Sequence, residues 1–121
     1  MKIISQLETL DKPNLNGRIY TKECIEKCIA DTKPIIDGRR FIVRTPYSTA
    51  PVGIGTKLEI VGDKLIAEIE LLDTDVGKLT RAAIDSGRNC QFSMVGRGTV
   101  VDGVVKNYSM DHISCDYRGN P

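Results

Sequence analysis

Thr56-Lys-Leu-Glu-Ile-Val-Gly-Asp-Lys-Leu-Ile-Ala-Glu-Ile-Glu-Leu71 is the stretch on which the fold turns. Leu58 and Ile60 alternate with Lys57 and Glu59, and Ala67, Ile69 and Leu71 alternate with Glu68 and Glu70. A period of two belongs to a strand with one buried and one wet face. Gly62-Asp63 between the runs is a two-residue, glycine-led turn, so the segment predicts an antiparallel hairpin.

Working upstream, residues 2–8 predict a first strand carrying Ile3, Ile4 and Leu7. Asp11-Lys-Pro-Asn-Leu-Asn-Gly17 is dense in turn formers and reads as a loop. Thr21 can cap a helix to about Asp31, with Cys24, Ile25, Cys28 and Ile29 on one stripe. Pro34 is expected to end that helix, because proline supplies no N–H. Phe41-Ile-Val43 predicts a short strand, followed by a loop between Pro46 and Pro51.

Downstream, Thr74 caps a second helix from about Asp75 to Ser86, with Val76, Leu79, Ala83 and Ile84 expected inward and Gly87 as its left-handed stop. Strands are expected at roughly 89–95 and 98–101, then at 104–109 and 111–117, with Asp102-Gly103 a clear turn signal. No strand–helix–strand alternation suggests a parallel sheet. The fold class expected is therefore α+β: one domain, 1–121, built as a small, mostly antiparallel β-barrel of six to eight short strands with two packed helices. Curling a sheet into a barrel hides its edges.

Composition narrows the function classes. The chain has 121 residues, with 17 Lys and Arg against 16 Asp and Glu. A net charge of +1 argues against nucleic-acid binding by overall basicity, and no run of like charges supplies a local substitute. No stretch is apolar for long enough to span a membrane, and Met-Lys-Ile-Ile-Ser-Gln turns polar too early for a secretory segment. A cytoplasmic setting, or a particle assembled there, is the expectation. Cys24, Cys28, Cys90 and Cys115 contain no Cys-x-x-Cys pair, and the one histidine is His112. Neither a metal nor an organic cofactor is expected, and all four cysteines are read as free thiols.

Three segments, in order, resemble the prohead proteases of tailed bacteriophages, which share a barrel fold with the herpesvirus assemblins. Asn14-Leu-Asn-Gly-Arg-Ile-Tyr20 is similar to that family's Asn-x-Asn-Gly-Arg-x-Tyr entrance before a helix. Leu71-Leu-Asp-Thr-Asp-Val-Gly-Lys78 resembles its strand-to-helix junction. Gln91-Phe-Ser-Met-Val-Gly-Arg-Gly98 is similar to the strand that holds the nucleophilic serine, and Asp111 to Tyr117 with Asn120-Pro121 to the end of the family's core. Read without the family, the same Asn and Gly residues are turn formers, Gly96 and Gly98 mark a bulge or a close backbone approach, and Ser93 is a strand spacer.

The resemblance also implies what is missing. Ser93 falls at the nucleophile position, but the family's base is a histidine in a Gly-Glu-x-Asp-His-Pro-like segment. Phe41-Ile-Val-Arg-Thr-Pro46 keeps the proline, with Thr45 at the histidine position and Arg44 at the aspartate. Val95 stands where the family has the arginine that organises oxyanion stabilisation; Arg97 comes two residues later. A serine hydroxyl without a base is a poor nucleophile near neutral pH. His112 is the one candidate replacement, although strict strand alternation would send Asp111 to the opposite face from it.

These readings imply no surviving catalytic residue: Ser93 is vestigial, and the base and arginine positions, Thr45 and Val95, are lost. The expected function is a non-enzymatic capsid-associated protein, an auxiliary or decoration subunit on an inactivated protease fold. Its expected partners are the major capsid protein of a tailed phage and other capsid subunits, with no direct nucleic-acid or membrane contact, in the virion capsid. The alternatives are an active maturation protease that cleaves scaffold or capsid protein with Ser93 as nucleophile, and an unrelated antiphage or host-directed barrel protein.

Overall fold

A computed structural model describes residues 1–88 and 90–116; the expected strand start at 89, Tyr117 and Asn120-Pro121 lie outside the described residues. Six strands and two helices follow one another as β1 (Lys2–Thr9), α1 (Lys22–Asp37), β2 (Ile42–Arg44), β3 (Pro51–Val61), β4 (Lys64–Leu71), α2 (Asp75–Asp85), β5 (Gln91–Val101) and β6 (Val104–Asp116). They form one six-stranded sheet in the order β1-β4-β3-β2-β6-β5. Its pairs are antiparallel except β2 with β6, where Val43 lies beside Ile113 and Arg44 beside Ser114. The sheet curls until the edge strands β1 and β5 approach each other without pairing, giving the α+β half-barrel that the alternation predicts.

The β3–β4 hairpin forms as its pattern requires. Gly62 adopts φ 64° at the turn, Leu58 faces Ala67, Ile60 faces Leu65, and the glutamates stay on the wetter face. One extra residue, Thr56, is accommodated as a bulge, its hydroxyl donating to the Glu68 carbonyl at 3.2 Å. The core inside the curl contains Leu10, Ile25, Phe41, Val43, Val52, Leu65, Ile69 and Ile113, all fully buried. Burying such side chains is worth roughly 1.5–3 kcal/mol each. Gly55 leaves the space that the Phe41 ring occupies: a Cβ there would fall 3.0 Å from the ring's Cε2.

Both helices start at the expected caps. The Thr21 hydroxyl accepts the Cys24 N–H at 3.1 Å, and the Thr74 hydroxyl accepts the Gly77 N–H at 3.0 Å. Each supplies an acceptor for an otherwise orphaned amide of the first turn. Gly77 is confined to glycine because a Cβ there would strike the Leu72 carbonyl. The Thr74 hydroxyl also donates to Pro51 O at 2.9 Å, pinning α2 to the start of β3.

Three sequence expectations need correction. Helix α1 does not stop before Pro34 but runs through it to Asp37. Pro34 sits in the last turn, so one intrahelical donor is lost while Gly38 N–H still closes onto Pro34 O at 3.0 Å. Leu79 of α2 points outward and is 63% exposed; Gly77, Thr80 and Ala83 take the buried stripe. A buried Thr80 satisfies its hydroxyl on the Val76 carbonyl at 2.8 Å, so the inward face is narrower and more polar than the apolar spacing implied. Finally, the four strands expected after residue 88 are one long hairpin, β5–β6, turned at Asp102 (φ 50°) and Gly103 (φ 80°). Gly96 and Gly98 do not break β5. The register slips twice, each time by an extra residue on β6: Asp111 between the Val95–His112 and Gly96–Met110 pairs, and one near Asn107 (φ 53°).

Candidate functional site

The outer face of the β5–β6 ribbon carries the residues that sequence reading singled out. Phe92, Ile113 and Cys115 turn into the core. Alternation therefore places Ser93 and Val95 of β5 on the opposite face, together with their partners Ser114 and His112. Because the extra residues lie on β6, β5 keeps its own alternation, and Arg97 shares that face. Across the sheet, Arg44, Ser114 and Ser93 stand in one row on β2, β6 and β5. Arg44, rather than Thr45, is thus the β2 residue in register with Ser93.

Two grooves open along this face. One of about 650 Å³ is lined by Arg44 and the 45–49 loop from β2, by Val95 of β5 and by His112 and Ser114 of β6. It collects Thr45, Val95 and His112. Ser93 is exposed but lines a second groove, of about 500 Å³, at the seam between β1 and β5, where Asn14, Leu15 and Asn16 meet it.

Thr45 is buried, at 3% exposure, and its hydroxyl accepts the Tyr47 N–H at 3.4 Å. The Ser48 hydroxyl accepts the Ala50 N–H at 3.1 Å, so side chains shape the loop twice in succession. Tyr47 then reaches across to β6, its hydroxyl donating to the Asp116 carboxylate.

His112 is only 12% exposed, and its Nδ1–H donates to Asp111 Oδ2 at 3.0 Å. This overturns the expectation that neighbouring strand residues would face apart. The bulge at Asp111 suspends the alternation and lets adjacent side chains meet. The hydrogen bond from His112 holds the Asp111 carboxyl below its ordinary value, and Arg44 and Arg97 push it the same way. The arrangement fixes the imidazole through Nδ1 and leaves Nε2 for other partners.

The remaining motifs act through shape. The Asn14 side chain accepts the N–H groups of Asn16 at 2.9 Å and Arg18 at 3.0 Å, folding the entrance segment into a turn completed by Gly17 (φ 75°). That turn delivers Tyr20 edge-on to Tyr108, with ring centroids 5.3 Å apart at 87°. Tyr108 in turn lies under Gly96, where a Cβ would come within 2.7 Å of its hydroxyl. The close-approach reading of Gly96 is the one the structure bears out. Cys28 and Cys115 are buried, and burial pushes the Cys115 thiol up to about 12. Among the described residues, no group of three or more His, Cys, Asp or Glu side chains could hold a metal.

Sequence reading missed the contributions of Ser114 and Tyr47. Ser114 was accessible, since it lies two residues from His112 on a strand. Tyr47 was not, because its partner Asp116 is 69 residues away in sequence, on the neighbouring strand β6.

A curled six-stranded sheet with one helix between β1 and β2 and another between β4 and β5 is a prohead protease-like fold. The chain is similar to the capsid assembly protease of bacteriophage T4, gp21, with a TM-score of 0.83 and 16% identity over 94% of this chain and 80% of that one. No protein-family model matches the sequence, and no curated protein aligns with it significantly. The likeness is one of fold.

Proposed function

We propose that this protein is a non-enzymatic component of a tailed-phage capsid, an auxiliary or decoration subunit that binds the major capsid protein through a disarmed protease-like half-barrel. The fold it shares with a capsid assembly protease supports the setting. One observation carries the loss of catalysis. The position that the family resemblance gives to the base holds Thr45, a buried hydroxyl bonded to the Tyr47 amide, while the β2 residue in the same row as Ser93, on the far side of Ser114, is Arg44. Neither side chain accepts a proton near neutral pH, and losing the base from a cooperating set removes several orders of magnitude of rate.

The test is incubation of the purified chain with the phage's scaffold and major capsid proteins, alongside sedimentation with its heads. Copies on purified heads and no cleavage are the expected result. Cleavage that disappears in Ser93→Ala would overturn the reading.

A second reading draws on the Asp111–His112 pair, which shares a face with Ser93. In that case Ser93 is the nucleophile of a maturation protease and His112 its base. Ser93 and His112 are diagonal across the ribbon, since His112 lies opposite Val95 and Ser93 opposite Ser114, a relation that sets residues roughly 7–8 Å apart. Cleavage abolished by both Ser93→Ala and His112→Ala would favour it.

A further inference from the structure

The two edges of the sheet are unlike. Edge strand β1 is guarded: it carries Lys2 and Glu8, its register slips between Gln6 and Glu8, and Lys2 is tied to Glu68 of β4 at 3.2 Å. Charges and bulges are the devices that stop an edge from recruiting another strand. Edge strand β5 is less guarded along its second half. From Val95 to Val101 it reads Val-Gly-Arg-Gly-Thr-Val-Val, with no proline and a single charge, and both bulges lie on β6.

All seven of these residues are exposed, on both faces of the strand, including Val95 (38%), Val100 (44%) and Val101 (51%). β1 approaches β5 near Ser93, at the seam groove. Among the described residues, no other segment hydrogen-bonds to the outer side of 95–101. A row of backbone donors and acceptors is therefore open along a half-apolar strand.

We infer that Val95–Val101 is a docking edge that takes an extended segment of a partner protein as a seventh strand, with an acidic side chain of that segment set beside Arg97. The backbone of the edge supplies the affinity and the alternating side chains the register. Arg97 selects the charge. It is the only ionised group on this stretch, and it makes no ion pair within 4 Å among the described residues, although it lies near enough to Asp111 to act on it. The same charge disfavours a second copy of this chain in the register centred on Arg97, where antiparallel self-pairing would set two Arg97 side chains directly opposite each other. The inference deepens the proposed capsid-binding role by naming the surface that would make the contact.

Two blocked peptides of alternating threonine and valine, one with a central glutamate and one with a central lysine, test it against the intact chain. Fluorescence anisotropy should show the glutamate peptide binding about tenfold more tightly. Arg97→Glu should reverse the preference and Arg97→Gln abolish it. Amide hydrogen exchange should slow across 95–101 and stay unchanged in β1. Equal binding of the two peptides, or no protection at 95–101, would overturn the inference. Protection that grows with protein concentration without peptide would also overturn it, by assigning the edge to a second copy. Heads that bind Arg97→Glu as well as wild type would sink the docking edge and leave the capsid role standing. Glutamate-peptide binding by a chain that ignores heads would uphold the edge and sink the capsid role.

Discussion

Gly96→Ala separates packing from chemistry on the strand that carries Ser93. The residue's φ is not in the left-handed region, so alanine carries no backbone penalty. The obstacle is space. A Cβ at this position would strike the Ser109 carbonyl oxygen and lie 2.7 Å from the Tyr108 hydroxyl and 2.8 Å from its ring carbon Cζ. The Tyr108 ring is held by Tyr20 on its other side, and the carbonyl belongs to the paired strand, so neither yields without moving the ribbon. Overpacking of this kind costs about 3 kcal/mol, toward the upper end of its usual range, because a backbone atom is among those struck. For a chain of this length that lowers Tm by about 10 °C. Differential scanning calorimetry reads it directly. Adding Tyr108→Ala should not restore the loss, since the Ser109 contact persists. A Gly96→Ala protein melting within about 2 °C of wild type would refute the account and return Gly96 to a functional explanation.

Leu79→Ser should change stability by less than about 0.5 kcal/mol in urea unfolding, because the side chain is already in water; a loss of about 2 kcal/mol would mean α2 is packed the other way round. The Asp111 carboxyl is depressed in the folded state, so its contribution is complete above the ordinary value of 3.8 and lost as pH falls through the lower folded value. The stability gap between wild type and Asp111→Asn should therefore be constant above about pH 5 and close in stronger acid; a gap that widens there would contradict the pairing with His112. Cys115, buried and pushed up to about 12, should react with a disulfide reagent at pH 8 more than about 100-fold slower than free cysteine; mass spectrometry of the native protein after brief labelling checks this.

The parts of the fold that could be read in the sequence are those fixed by local chemistry. Thr21 and Thr74 each had an amide three residues on to accept, Gly62 and Asp102-Gly103 sat at turns that demand positive φ, and the alternation from Leu58 to Leu71 named its own faces. What failed depended on distant partners. Pro34 is tolerated because of where α1 happens to end, and Leu79 lost its inward place to Thr80, whose hydroxyl is satisfied within the helix. The meeting of Asp111 with His112 required an extra residue on β6, and a bulge arises from pairing between strands. The candidate site was legible as a set of residues and illegible as an arrangement. Thr45, Val95 and His112 do share a groove, but Arg44 rather than Thr45 stands in line with Ser93.

Among the described residues, the three-residue strand β2 carries the ladder pairing that links β1-β4-β3 on one side to β6-β5 on the other. The β3–β4 and β5–β6 hairpins have contacts near in sequence, so each can assemble quickly by itself, whereas β1 reaches β4 only across the chain, Lys2 opposite Glu70. Joining the two sides requires Val43 to find Ile113 in parallel, at the far end of a long chain loop. Closure over such a separation is entropically expensive and slow. The rate at which the protein reaches its native state should thus be governed by these two long-range pairings, and substitutions in Val43 or Ile113 should slow refolding more than equally destabilising ones in the β3–β4 or β5–β6 hairpin.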